Sequence, residues 1–136
     1  MQIKFHHVNL CTGDVPGLDE FYRTVLDMEP EPSMNANRRI AEDGYNGAVA
    51  FMTDGDIQFH LAQPDLDAGF KAEKAINPLE RGHLAFRTDD IEAFKRRLDE
   101  KGIRYADYGA WAMKGWSQIF FYDPAGNIIE VHQVHT

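Results

Sequence analysis

The chain has 136 residues, 43% hydrophobic and 26% charged, which suits one globular domain with a substantial core. Acidic residues outnumber basic ones 22 to 14, for a formal net charge of −8, and cations occur only in short groups such as Arg38-Arg39 and Lys95-Arg96-Arg97. That balance argues against nucleic acid and anionic membrane surfaces, which demand clustered cations. With one cysteine, Cys11, and no apolar run at the N-terminus, the chain reads as a soluble cytoplasmic protein.

The first element is a strand over residues 3–11, where Val8 and Leu10 alternate with His7 and Asn9. A helix follows, with Asp14 as N-cap, Pro16 in its first turn and an apolar stripe of Val15, Leu18, Phe21, Tyr22, Val25 and Leu26. Strands are expected near 38–42, 47–53 and 57–62, the last two joined by the turn Thr53-Asp-Gly-Asp56. Residues 64–81 read as a linker with a short helix around Ala68–Ala75. A strand over 82–88 then leads into a second helix. Asp89 and Glu92 have capping-box spacing, Ile91, Phe94 and Leu98 form the stripe, and Gly102 ends it. Three more strands are expected near 104–108, 117–122 and 127–133.

The two halves resemble each other. His7-Val-Asn-Leu-Cys-Thr-Gly-Asp14 aligns with His83-Leu-Ala-Phe-Arg-Thr-Asp-Asp90 at an offset of 76 (83 − 7), and His60 aligns with Glu130 at an offset of 70 (130 − 60). The expected fold is therefore α+β. Two tandem βαβββ modules, 1–63 and 82–136 with the linker 64–81 between them, build one cup-shaped mixed sheet with helices on its outer face.

Side chains alternate along a strand, so the phase assigns faces. Val8, Leu10, Phe59, Leu61, Leu84, Phe86, Ile129 and Val131 belong against the helices. The opposite face then carries His7, His60, His83, Glu130 and His132, with Asn9, Gln58 and Arg87 beside them. Imidazole and carboxylate groups suit Zn, Ni, Fe, Co or Mn. His7, His60, His83 and Glu130 are the candidate ligands, and His60 or Glu130 the candidate proton carrier. His132 is either a support for a ligand or a lining residue. His6 should point to the helix side, and Cys11 is a cup-lining or small core residue. The segment Tyr108–Trp116 is either a loop packed by its own aromatics or a lid over the substrate, with Trp111 and Trp116 lining the cup.

These motifs resemble the vicinal oxygen chelate superfamily, the glyoxalase, fosfomycin-resistance and extradiol-dioxygenase group. The likeness rests on His7-Val-Asn-Leu with Asp14 and Phe21-Tyr22, on Gly82-His83-Leu-Ala-Phe86, and above all on Asp123-Pro-Ala-Gly-Asn-Ile-Ile-Glu130. It implies a divalent metal held by His7, His83 and Glu130, with a fourth ligand from the strand of His60. It also implies a homodimer and a metal-dependent lyase or isomerase for a small substrate chelated through adjacent oxygens. The chain departs from glyoxalases at His60, where they carry a carboxylate or amide. The alternatives are a fosfomycin-resistance-type thiol transferase, an Fe(II) extradiol dioxygenase, and a metal-free drug- or metabolite-binding module.

Overall fold

A computed structural model describes residues 1–136. In chain order it contains β1 (Ile3–Cys11), α1 (Val15–Val25), β2 (Glu29–Pro30), α2 (Pro32–Ala36), β3 (Val49–Thr53), β4 (Gln58–Ala62) and α3 (Ala68–Ala72). The second half contains β5 (His83–Thr88), α4 (Ile91–Glu100), β6 (Ala106–Gly109), β7 (Trp116–Tyr122) and β8 (Ile128–Val134). All eight strands join one mixed sheet in the order β2-β3-β4-β1-β5-β8-β7-β6. The fold is thus the expected α+β arrangement, one open mixed sheet with few helices.

Register exposes the internal symmetry. β1 runs parallel to β4 with Asn9 opposite His60, and β5 runs parallel to β8 with Ala85 opposite Glu130. β1 and β5 meet antiparallel, with Asn9 opposite His83 and His7 opposite Ala85. A local twofold between β1 and β5 exchanges these pairs. His7 and His83 therefore flank that axis, while His60 and Glu130 sit one strand outward on either side. Gly82 makes the entry to β5 possible, because its φ is +97° and a Cβ there would collide with the Asn9 carbonyl oxygen.

Each helix covers the outer face of its own half. Asp14 caps α1 by accepting from the Gly17 amide. Met28, Met52 and Leu61 are buried beneath it, against Leu10, Leu18, Tyr22 and Phe59. Ile91, Phe94 and Leu98 of α4 pack on Ile119 and Val131. Each such burial contributes about 1.5–3 kcal/mol. The inner face curls on itself. Phe51 of β3 and Trp116 of β7 belong to one buried cluster although four strands separate theirs in the sheet.

Several local expectations change. The helix α4 is capped by Asp90, whose carboxylate accepts from the Ala93 amide, whereas Asp89 accepts from the Gln2 amide. No strand forms over 38–42. The module instead has the two-residue β2, followed by α2 with Pro32 in its first turn, because prolines at 30 and 32 interrupt a ladder but start a helix well. Only Arg38 keeps a bridge, to Met113. The α1 stripe is partly unburied, with Phe21, Val25 and Leu26 more than half exposed. His6 also differs from expectation. A bulge in β1 between Phe5 and His7 breaks the two-residue alternation and turns His6 toward the inner face, 5.0 Å ring to ring from both His7 and His132. No helix is long and apolar enough to cross a membrane.

Candidate metal centre

His7, His83 and Glu130 converge on the inner face. One ligand atom from each lies within 4.8 Å of the others, and all three residues are buried. His83 is fixed by its Nδ1, 2.9 Å from the Pro78 carbonyl oxygen. A carbonyl can only accept, so Nδ1 holds the proton and Nε2 presents a lone pair. That Nε2 lies 3.2 Å from Glu130 Oε1. Two lone-pair donors facing each other in a dry site call for a cation between them, either a proton or a metal ion. Three protein ligands of this chemistry, with further positions open, fit a divalent metal.

The carboxylate is positioned from behind. Arg87 Nε donates to His132 Nε2 at 3.0 Å. A guanidinium is always a donor, so His132 carries its proton on Nδ1 and donates to Glu130 Oε2 at 2.7 Å. The His132 ring is fully buried and stacks on Trp116 with centroids 4.0 Å apart. Gln118 Nε2 donates to Glu130 Oε1 at 3.3 Å, while its Oε1 accepts from the Ala112 amide. Burial alone would raise the Glu130 pKa, but the neighbouring His7, His132 and His83 imidazoles outweigh it and hold the carboxyl below its usual range. Burial is also the main reason His7 and His60 stay neutral, which leaves imidazole lone pairs available.

His60 stands beside this trio. It stacks on His7 with centroids 3.6 Å apart, and its Nε2 lies 2.8 Å from Gln58 Oε1. It also groups with His6 and His7, whose Nδ1 atoms are 2.8 Å apart. Asn9, Trp111 and Trp116 line the same cavity as His7, His60, His83 and Glu130. Gln58 and Arg87 do not. Gln58 is turned to His60, and Arg87 opens on a separate polar cleft with Lys4, His6 and Gln133. His132 lies behind Glu130 rather than in the cavity wall.

The cavity is about 50 Å³, room for a few water-sized groups. Its walls are mostly apolar, from Val49, Phe51, Leu79 and Met113 among others, and Glu130 is its sole carboxylate. Two loops roof it. The Arg39 amide donates to the Ala112 carbonyl, the Lys114 amide to the Asn37 carbonyl, and Arg39 Nη1 to the Trp111 carbonyl. Tyr108 and Trp111 are buried under this clasp and pack on Phe120, so the aromatic loop both packs and covers.

Two residues outside the expected set, Gln118 and Arg38, also reach the site. Gln118 is visible once the two-residue phase is extended to β7, where Trp116, Gln118 and Phe120 share the inner face and only Gln118 is polar. Arg38 gives no such signal, because a loop brings it to the cavity.

A family model for the "Glyoxalase/Bleomycin resistance protein/Dioxygenase superfamily" matches residues 4–131. The chain is similar to "Glyoxylase I 4" of Arabidopsis thaliana, 28% identical over 131 residues that make up 94% of this chain and 69% of the relative. Among solved structures it resembles methylmalonyl-CoA epimerase from Mycobacterium tuberculosis, with TM-score 0.71 and 23% identity, over 98% of this chain and 89% of the other. It also resembles a variant of the Streptomyces coelicolor methylmalonyl-CoA epimerase in complex with 2-nitronate-propionyl-CoA, with TM-score 0.66 and 19% identity over 98% of both chains. At these identities the structural likenesses speak for the fold. The family match spans nearly the whole chain, and the chain belongs to the glyoxalase/bleomycin resistance protein/dioxygenase superfamily.

Proposed function

We propose that this protein is a metal-dependent lyase or isomerase of glyoxalase type, acting on a small substrate that binds through adjacent oxygens. The observation that carries this reading is the convergence of His7, His83 and Glu130 inside a roofed, largely apolar cavity. These three side chains would hold the ion. A divalent metal there supplies Lewis acidity, polarising a substrate carbonyl and stabilising negative charge on its oxygen.

The remaining chemistry belongs to the chain itself. Gln118 and His132 fix the two oxygens of Glu130. His60 donates from Nε2 to Gln58 Oε1, which leaves Nδ1 as the basic nitrogen of a neutral imidazole at the cavity. It is the group proposed to take and return a proton at carbon. The loop clasp excludes water from that step. The similar proteins named Glyoxylase I 4 and methylmalonyl-CoA epimerase support a proton-moving role.

The test is proton exchange. Protein loaded with Ni, Zn, Mn, Co or Fe(II) is incubated in D2O with a panel of 2-oxo and 2-hydroxy carbonyl compounds and followed by NMR. Metal-dependent deuterium incorporation that disappears in His60→Ala is expected. Oxygen uptake with a catechol in place of exchange would move the assignment to a dioxygenase. Tight binding of an apolar ligand, unaffected by His83→Ala, would move it to a metal-free binding module. We also propose a homodimer through the exposed apolar side chains of α1, for which Val25→Glu should give monomers in sedimentation equilibrium. A wild-type protein that already sediments as a monomer at micromolar concentration would contradict it.

A further inference from the structure

The cavity has a second charged group, at its roof. Arg38 is its sole permanent cation, and no carboxylate of the protein pairs with it. The four Lys and Arg side chains that do form ion pairs, Arg23, Arg39, Lys71 and Lys95, face Asp or Glu partners away from the cavity floor. Arg38 instead gives one nitrogen, Nη2, to the carbonyls of Tyr45 and Gly47 at 3.0 and 3.1 Å, with its Cζ 5.6 Å from the Tyr45 ring centroid. Its Nε and Nη1 have no hydrogen-bond partner in the protein, and no buried polar side-chain atom is left unsatisfied, so these donors open on accessible space. A half-buried guanidinium with two donors free of protein acceptors, lining a largely apolar cavity, is suited to an anion, because its planar fork matches a carboxylate.

We propose that Arg38 binds a carboxylate of the substrate, remote from the adjacent oxygens that face His7, His83 and Glu130. The substrate class is then a compact oxygenated acid. One end carries neighbouring oxygens for the floor, the other end an anion for the roof, and a short apolar segment spans the walls between them. The roof position also couples binding to closure. Arg38 forms the bridge to Met113, so an anion held there would lie at the seam of the two clasping loops.

This inference rests on the metal reading for the floor, and the experiment separates the two. Calorimetry is first run with Ni alone, then on the Ni-loaded protein with 2-oxoglutarate and with 2-oxovalerate, which shares the 2-oxo acid end and lacks the distal carboxylate. The wild type should bind 2-oxoglutarate at least tenfold more tightly. Arg38→Met should bring the two within about twofold while leaving 2-oxovalerate affinity and Ni binding unchanged. Arg38→Lys should keep part of the preference. Equal wild-type affinities for the two acids overturn the proposal without need of any variant. A preference that survives Arg38→Met, in protein whose melting and Ni binding match wild type, overturns it as well. Failure to bind Ni at all would instead count against the floor site.

Discussion

Replacing His132 by leucine tests how the carboxylate is held. The imidazole is fully buried, donates to Glu130 Oε2 at 2.7 Å and accepts from Arg87 at 3.0 Å. Leucine fills a similar volume, so the cost is the lost hydrogen bond rather than a cavity. A buried carboxylate deprived of one charge-assisted donor loses about 1.5–3 kcal/mol. Arg87 adds little, since it borders an open cleft and can rehydrate. For a chain of this length that is a fall in Tm of about 5–12 °C in metal-free protein. Metal affinity should drop about 10–100-fold, the usual cost of losing such a support. His132→Asn places an amide nitrogen near the former Nδ1 and should restore affinity to within about threefold of wild type. Differential scanning calorimetry and metal titration read both effects. Unchanged metal affinity in His132→Leu would refute the positioning argument.

Three further outcomes are expected. Metal-free protein should lose stability as pH falls below about 6.5, since His6 is held down to about 3, by burial first and then by the Arg87 charge, and burial also lowers His7, His60 and His132. The unfolded chain takes up protons that the folded one refuses, so the loss is about 1.4 kcal/mol per pH unit for each such histidine, absent above the unfolded pKa; urea melts at pH 7.5, 6 and 5 that coincide would contradict it. Phe120→Ala should cost about 3–5 kcal/mol in chemical denaturation, because a fully buried ring against His83, Tyr108 and Trp111 is removed. Ni at about 100 times its Kd should raise stability by about 2.7 kcal/mol, and that gain should vanish in Glu130→Gln.

Much of the architecture is legible in the sequence because each half repeats one pattern. The offsets of 76 and 70 place His7 with His83 and His60 with Glu130, and strict alternation gives the face. Legibility ends where alternation breaks. The bulge before His7 redirects His6, and nothing in His6-His7 announces it. Prolines 30 and 32 favour a short helix that ends just before the expected strand over 38–42, of which only the Arg38 bridge forms. The roof depends on loop-to-loop hydrogen bonds between residues some 70 positions apart, so Arg38 enters the cavity without a periodic signal. Gln118 was within reach, since a lone polar residue between Trp116 and Phe120 on an inner face needs a partner, and here that partner is Glu130.

The central claim is that the chain holds one divalent ion between its two halves. Equilibrium dialysis against Ni, Zn, Mn, Co and Fe(II), followed by elemental analysis, tests it most directly. One equivalent per chain is expected for wild type with at least one of these metals, and about a tenth or less for His83→Ala. Wild-type protein that takes up less than about a tenth of an equivalent of every metal, or a His83→Ala variant that binds as well as wild type, would contradict it.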